Sequence, residues 1–80
     1  MRLDKYLKVS RLIKRRTLAK EVTDAGRVSI NGRVAKPSTE VQVGDILEIG
    51  FGARKMKVEI MGIKESVRVD EAADLYKVLE

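Results

Sequence analysis

Cysteine, histidine and tryptophan are absent from this chain, proline occurs once, and only three aromatic residues are present: Tyr6, Phe51 and Tyr76. Without cysteine no disulfide can staple the fold. Without cysteine or histidine the usual structural zinc site is excluded, as is a Ser-His or Cys-His nucleophile pair. Neither a metal nor a cofactor is expected. No apolar run approaches the length of a membrane-crossing helix. The first residues also lack the unbroken apolar stretch of a signal peptide, so a cytoplasmic location is expected. The scarcity of aromatics bears on nucleic acids, because single-strand readers stack bases on exposed rings. Tyr6 and Phe51 are isolated and are assigned to the core, with Tyr76 similar. Any RNA recognition would then run through phosphates, 2′-hydroxyls and the shape of a folded strand.

What is present fits one domain. Eighty residues, 44% hydrophobic and 36% charged, support a thin aliphatic core under a charged surface, and dividing the chain would leave neither half enough to bury. The net charge of +5 is unevenly placed. Residues 1–36 hold eleven Lys or Arg against three acidic residues, a net +8, while residues 37–80 hold six against nine, a net −3. Such polarity turns the leading segment toward a polyanion.

Periodicity sets the elements. Leu3, Tyr6 and Leu7 share a face of a short helix over Arg2–Ser10. Ser10–Arg16 is a basic connector or an irregular helix extension, with Leu12 and Ile13 able to anchor it. Thr17 can cap or open a second helix reaching about Ala25, with Leu18, Val22 and Ala25 as its apolar stripe and Gly26 beyond its end. Val28-Ser29-Ile30, Asn31-Gly32 and Arg33-Val34-Ala35 read as a hairpin on a type I′ turn. Lys36-Pro37 ends the pairing. Val41 and Val43 lead to a Gly44-Asp45 turn, Ile46–Ile49 forms a strand, and Gly50-Phe51-Gly52 breaks it. Lys55–Ile60 alternates with Met56, Val58 and Ile60 inward, and Asp70–Leu79 suits a short terminal helix. The class is α+β: two N-terminal helices packed on a small, mostly antiparallel sheet, with a short C-terminal helix.

The strongest chemical signal is Lys14-Arg15-Arg16-Thr17 at the start of the second helix. Three adjacent cations and a hydroxyl meet free backbone N–H groups and the positive dipole end, an arrangement suited to phosphate. Arg16 can be bidentate to phosphate. A solvated basic turn is the alternative for this run. Arg2, Lys5, Lys8 and Arg11 add a basic edge on the first helix, and Lys20 continues it one turn into the second. Helix solubility alone would also explain Lys5 and Lys8. Asp4, among these cations, is assigned to orienting arginine side chains. Arg33 and Lys36 are divided between solvent and phosphate, and Asn31 and Gly32 are turn formers. Asp45 and Glu48 lack an acid/base partner, and Gly50-Phe51-Gly52 is no dinucleotide fingerprint, so an enzyme is not expected.

The runs Met1-Arg2-Leu3-Asp4-Lys5-Tyr6-Leu7, Lys14-Arg15-Arg16-Thr17-Leu18-Ala19-Lys20, Gly26-Arg27-Val28-Ser29-Ile30-Asn31-Gly32, and Lys36-Pro37-Ser38 with Val43-Gly44-Asp45-Ile46-Leu47, occur in an order that resembles the αL RNA-binding motif. This is the domain named for small-subunit ribosomal protein S-four. The resemblance covers residues 1 to about 49, with 50–80 adding a strand and the terminal helix of one domain over 1–80. The free-standing form, with Asp70-Glu71-Ala72-Ala73 near its end, resembles the RqcP (YabO) family of bacterial ribosome-associated quality-control factors, related to the small ribosome-associated heat-shock protein. That resemblance implies binding to large-subunit ribosomal RNA and peptidyl-tRNA on obstructed subunits. It also implies assistance to C-terminal alanine tailing with the RqcH elongation factor, and Arg2 and Arg16 as RNA contacts. A monomer without membrane attachment is expected. The rival readings are a generic RNA-targeting module serving a separate modifying enzyme, and a protein–protein adaptor.

Overall fold

The computed structural model describes residues 1–79. Helix α1 covers Leu3–Val9 and α2 covers Arg16–Asp24. Five strands follow: β1 (Val28–Ile30), β2 (Arg33–Val34), β3 (Ile46–Phe51), β4 (Arg54–Ile60) and β5 (Tyr76–Val78), with a 3₁₀ turn over Val69–Leu75 ahead of the last. They form one antiparallel sheet in the order β2-β1-β3-β4-β5.

The helices bury small and large residues in different ways. Helix α1 turns Leu3, Tyr6 and Leu7 fully inward, as its spacing predicts. The stripe expected on α2 is displaced by about one position. Ala19 and Thr23 are its buried residues, while Leu18 is 47% exposed and Ala25 lies at the surface. The Thr23 hydroxyl donates back to the Ala19 carbonyl at 2.6 Å, so a polar side chain can face the interior without an unmade bond. Ala19 is small and Thr23 polar, so a count of large apolar residues does not register the face that α2 buries. The helix ends as expected at Gly26, φ +76°. Gly26 N–H bonds to the Thr23 carbonyl and Arg27 N–H to the Val22 carbonyl, the two bonds of a Schellman cap.

The Asn31-Gly32 hairpin forms, with φ of 51° and 85° at the turn and Ile30 opposite Arg33. Asn31 does more than turn the chain. Its Oδ1 accepts from Ile46 N–H at 2.9 Å and its Nδ2 donates to Asp45 at 3.1 Å, locking β1 to the entry of β3.

Two expectations are corrected. Gly50-Phe51-Gly52 does not break β3; the strand runs through Phe51, and Gly52-Ala53 turns the chain so that Phe51 pairs with Arg54. Phe51 thus sits at a hairpin tip, 39% exposed instead of in the core. The terminal helix is likewise shorter than Asp70–Leu79. The 3₁₀ turn stops at Leu75, and Tyr76–Val78 extends along β4 with Ile60 opposite Tyr76. Long-range pairing with an open sheet edge outweighs the local helical tendency of this segment.

One core joins the layers. Leu3, Tyr6, Leu7 and Ile13 meet Val28, Leu47, Ile49, Val58 and Ile60, with Leu75 closing one side. Tyr6 Oη donates to the Leu75 carbonyl at 2.7 Å and so fastens α1 to the terminal 3₁₀ turn.

Candidate nucleic-acid interface

The site grows from one buried carboxylate. Asp4, 2% exposed, lies in the first turn of α1. Its Oδ1 accepts from Lys5 N–H at 2.8 Å and from Arg16 Nη2 at 3.5 Å; its Oδ2 accepts from Arg2 Nη2 at 3.2 Å. The two arginines, fourteen positions apart in the chain, are thereby brought to one place. Each keeps nearly half of its side chain exposed, at 47% for Arg2 and 48% for Arg16. The remaining guanidinium donors can reach an external acceptor.

Backbone pairing brings a third segment alongside. Leu3 N–H bonds to the Thr39 carbonyl and Asp4 N–H to the Pro37 carbonyl, while Arg2 bridges Glu40. The Lys36–Ser38 segment therefore runs beside the start of α1. Arg2, Lys20 and Lys36 border a shared open hollow of about 480 Å³. Arg2, Arg16, Lys20 and Lys36 form one cationic face.

At the head of α2, Arg15 occupies the N-cap position and makes no side-chain cap. The first helical N–H to bond within the helix is Ala19, to the Arg15 carbonyl at 2.9 Å. The helix opens one residue earlier than expected, which places Thr17 inside its exposed first turn. Donors, hydroxyl and positive dipole end are available there for an anion.

A second cluster lies at the other end of α1. Lys8, Arg11 and Lys14 surround a small hollow of about 130 Å³ closed by Glu65, Ser66 and Val67. Arg11 follows the helix cap with φ 61°, a left-handed conformation in which a side chain costs roughly 1–2 kcal/mol relative to glycine. Lys5 is engaged by Glu65, and that hydrogen bond, reinforced by the lysine charge, lowers the Glu65 pKa. Arg33 stands exposed on the edge strand β2 and borders neither hollow.

Division of charge along the sequence is therefore not division in space. Glu65 from the anionic half meets the basic helix. Conversely, Arg54 and Lys55 from that half join Arg27 around the β3–β4 hairpin tip. Sequence reasoning gave these three cations no role and assigned Phe51 to the core. The usable signal was Gly52 between an aromatic and two basic residues, a pattern that makes a tip when read as a turn.

The S4 domain model matches residues 1–47. The chain belongs to the S4-domain family. It is 62% identical over 98% of its length to an RQC P-site tRNA stabilizing factor from Halalkalibacterium halodurans, covering 89% of that protein. Identity to the factor of the same name from Bacillus subtilis is 55% over the whole chain and 93% of the relative. Among solved structures, the trimeric Vibrio cholerae Heat Shock Protein 15 superposes with a TM-score of 0.90 at 35% identity, covering 98% of this chain and 80% of that one. Among the described residues no helix is long and apolar enough to cross a membrane.

Proposed function

We propose that this chain is a non-catalytic RNA-binding factor of ribosome-associated quality control. It docks on large-subunit ribosomal RNA and steadies peptidyl-tRNA on obstructed subunits while RqcH adds a C-terminal alanine tail. The observation that carries the docking mode is the Arg2–Asp4–Arg16 arrangement. A buried carboxylate fixes two half-exposed guanidinium groups on the same face as Lys20 and Lys36, so the cost of ordering them is met on folding and not on binding. The names of the relatives support the cellular role.

Arg2 and Arg16 act as the principal phosphate contacts, with Arg15, Thr17, Lys20 and Lys36 beside them. Lys8, Arg11 and Lys14 extend the contact around the end of α1, and Lys5 and Arg33 contribute long-range attraction. The factor works as a monomer.

Sedimentation with purified large subunits, vacant or carrying peptidyl-tRNA, tests this. The wild-type chain is expected to travel with subunits and to bind those bearing peptidyl-tRNA more tightly. Arg16→Ala should weaken binding by about 1–3 kcal/mol, the loss of one charge-assisted contact, with the fold retained and the melting temperature lowered by no more than about 8 °C through the lost Asp4 pair. Indifference to both particles would refute the role.

A further inference from the structure

Phe51 is the one aromatic residue of the chain with more than a third of its surface open, and it stands at the tip of the β3–β4 hairpin. A hollow lies on each flank of it. On the helix side Leu18, Val22 and Ala25 border a groove of about 430 Å³, and on the strand side Met56 and Val78 border one of about 340 Å³. Apolar walls on both sides of a ring suit a flat apolar object laid against it. The rim is cationic. Arg54 is the cross-strand partner of Phe51, Lys55 follows it, and Arg27 approaches from the end of α2. None of the three lies within 4.0 Å of a described carboxylate oxygen, whereas Lys57 pairs with Glu48. Among the described residues Glu21 is the one acidic residue lining the helix-side groove, and Glu48, paired with Lys57, lines the hollow shared by Arg27 and Lys55.

We infer that the hairpin tip is a second RNA site, at which Phe51 stacks an unpaired base while Arg54, Lys55 and Arg27 hold its flanking phosphates. An aromatic platform inside a basic groove is the general solution for single-stranded nucleic acid. Charge decides between this ligand and a protein segment, because three cations without a described carboxylate partner match the phosphates that accompany every base. The helical face and the tip then divide the work: phosphate and shape recognition on the first, capture of an unstacked nucleotide on the second. This inference rests on the RNA-binding reading above.

The test measures binding of two probes, an eight-nucleotide oligoadenylate and a twelve-base-pair RNA duplex, to the full chain and four variants. Base stacking on an aromatic is worth about 1–3 kcal/mol, so Phe51→Ala should weaken oligoadenylate binding roughly 5- to 100-fold and leave duplex binding within about twofold. Phe51→Tyr should restore the affinity. Phe51→Leu, which keeps an apolar side chain and removes the ring, should not. Arg16→Ala should weaken the duplex. Loss of duplex binding in Arg16→Ala together with oligoadenylate binding untouched by Phe51→Ala would overturn the tip site and leave the helical face standing. Equal weakening of both probes by Phe51→Leu, with a lowered melting temperature, would make Phe51 structural and also overturn it. Binding of an acidic amphipathic peptide abolished by Phe51→Ala, with oligoadenylate unaffected, would reassign the tip to a protein partner. Failure of the wild-type chain to bind either probe would instead refute the RNA reading itself.

Discussion

Replacing Asp4 by asparagine should weaken RNA binding although it makes the protein more positive. Counting charges gives the opposite expectation, since one carboxylate beside the RNA-facing arginines disappears. The structure supplies the reason for the sign. Asp4 is buried, and its two oxygens accept from Arg2 at 3.2 Å and Arg16 at 3.5 Å. Asparagine retains an acceptor for Lys5 N–H but loses the charge that orders both guanidinium groups. Immobilising a long side chain on binding costs roughly 0.5–1.5 kcal/mol, so two arginines cost about 1–3 kcal/mol. Release from the carboxylate returns about 1 kcal/mol as stronger attraction to phosphate in a solvated setting. The net is about 0–2 kcal/mol, a dissociation constant raised roughly 5-fold at its centre and at most about 30-fold, using 1.4 kcal/mol per decade. Folding should suffer as well. Both arginines are nearly half exposed, so each pair is worth at most about 1 kcal/mol, and the melting temperature should fall by up to about 15 °C. Fluorescence anisotropy with an RNA duplex, beside a circular-dichroism melt, reads both effects. Tighter RNA binding at an unchanged melting temperature would refute the reasoning, leaving Asp4 as a simple neutraliser.

The remaining predictions concern Arg11 and Tyr6. Arg11→Gly removes a side chain from a left-handed residue and should stabilise the fold by about 0.5–1 kcal/mol. It should also cost about 1 kcal/mol of RNA affinity; denaturant melts and duplex titrations that moved in the same direction would contradict this split. Tyr6→Phe should destabilise by about 0.5–1.5 kcal/mol at neutral pH through the lost bond to the Leu75 carbonyl. Burial, and secondarily the charge of Tyr76, raises the Tyr6 pKa in the folded state. A raised acid contributes its stability fully below the unfolded value and loses it as pH rises. The gap between wild type and Tyr6→Phe should therefore hold constant up to about pH 10 and close above it. Parallel melts across that range would contradict the assignment.

Much of the fold was legible because its signals are local. The i, i+3, i+4 spacing of Leu3, Tyr6 and Leu7, the cap at Gly26 and the Asn31-Gly32 turn each need only neighbouring residues. Three features were not legible, and each depends on distant partners. Ala19 and Thr23 are the residues α2 buries in the assembled core, one small and the other polar with its hydroxyl tied to the Ala19 carbonyl. Tyr76–Val78 is a strand because β4 offers it an edge. Phe51 is exposed because it closes β3 at the Gly52-Ala53 turn, where Arg54 is its strand partner. The candidate site divides the same way. Its cations were visible as a run, and Asp4 was readable as their organiser through the adjacent Arg2. That Arg16 shares the same carboxylate, and that Lys36 lies beside Arg2, follows only from the packing of α2 and of the Pro37–Thr39 segment on the start of the chain.

The most direct test of the cationic face is the slope of RNA-duplex affinity against salt concentration. With four to six phosphates neutralised, a slope of about −0.9 per phosphate lowers affinity by roughly two to three orders of magnitude between 50 and 200 mM salt. Arg2→Ala and Arg16→Ala should each make the slope shallower by about one unit. A slope near zero, or one that neither substitution changes, would contradict the account.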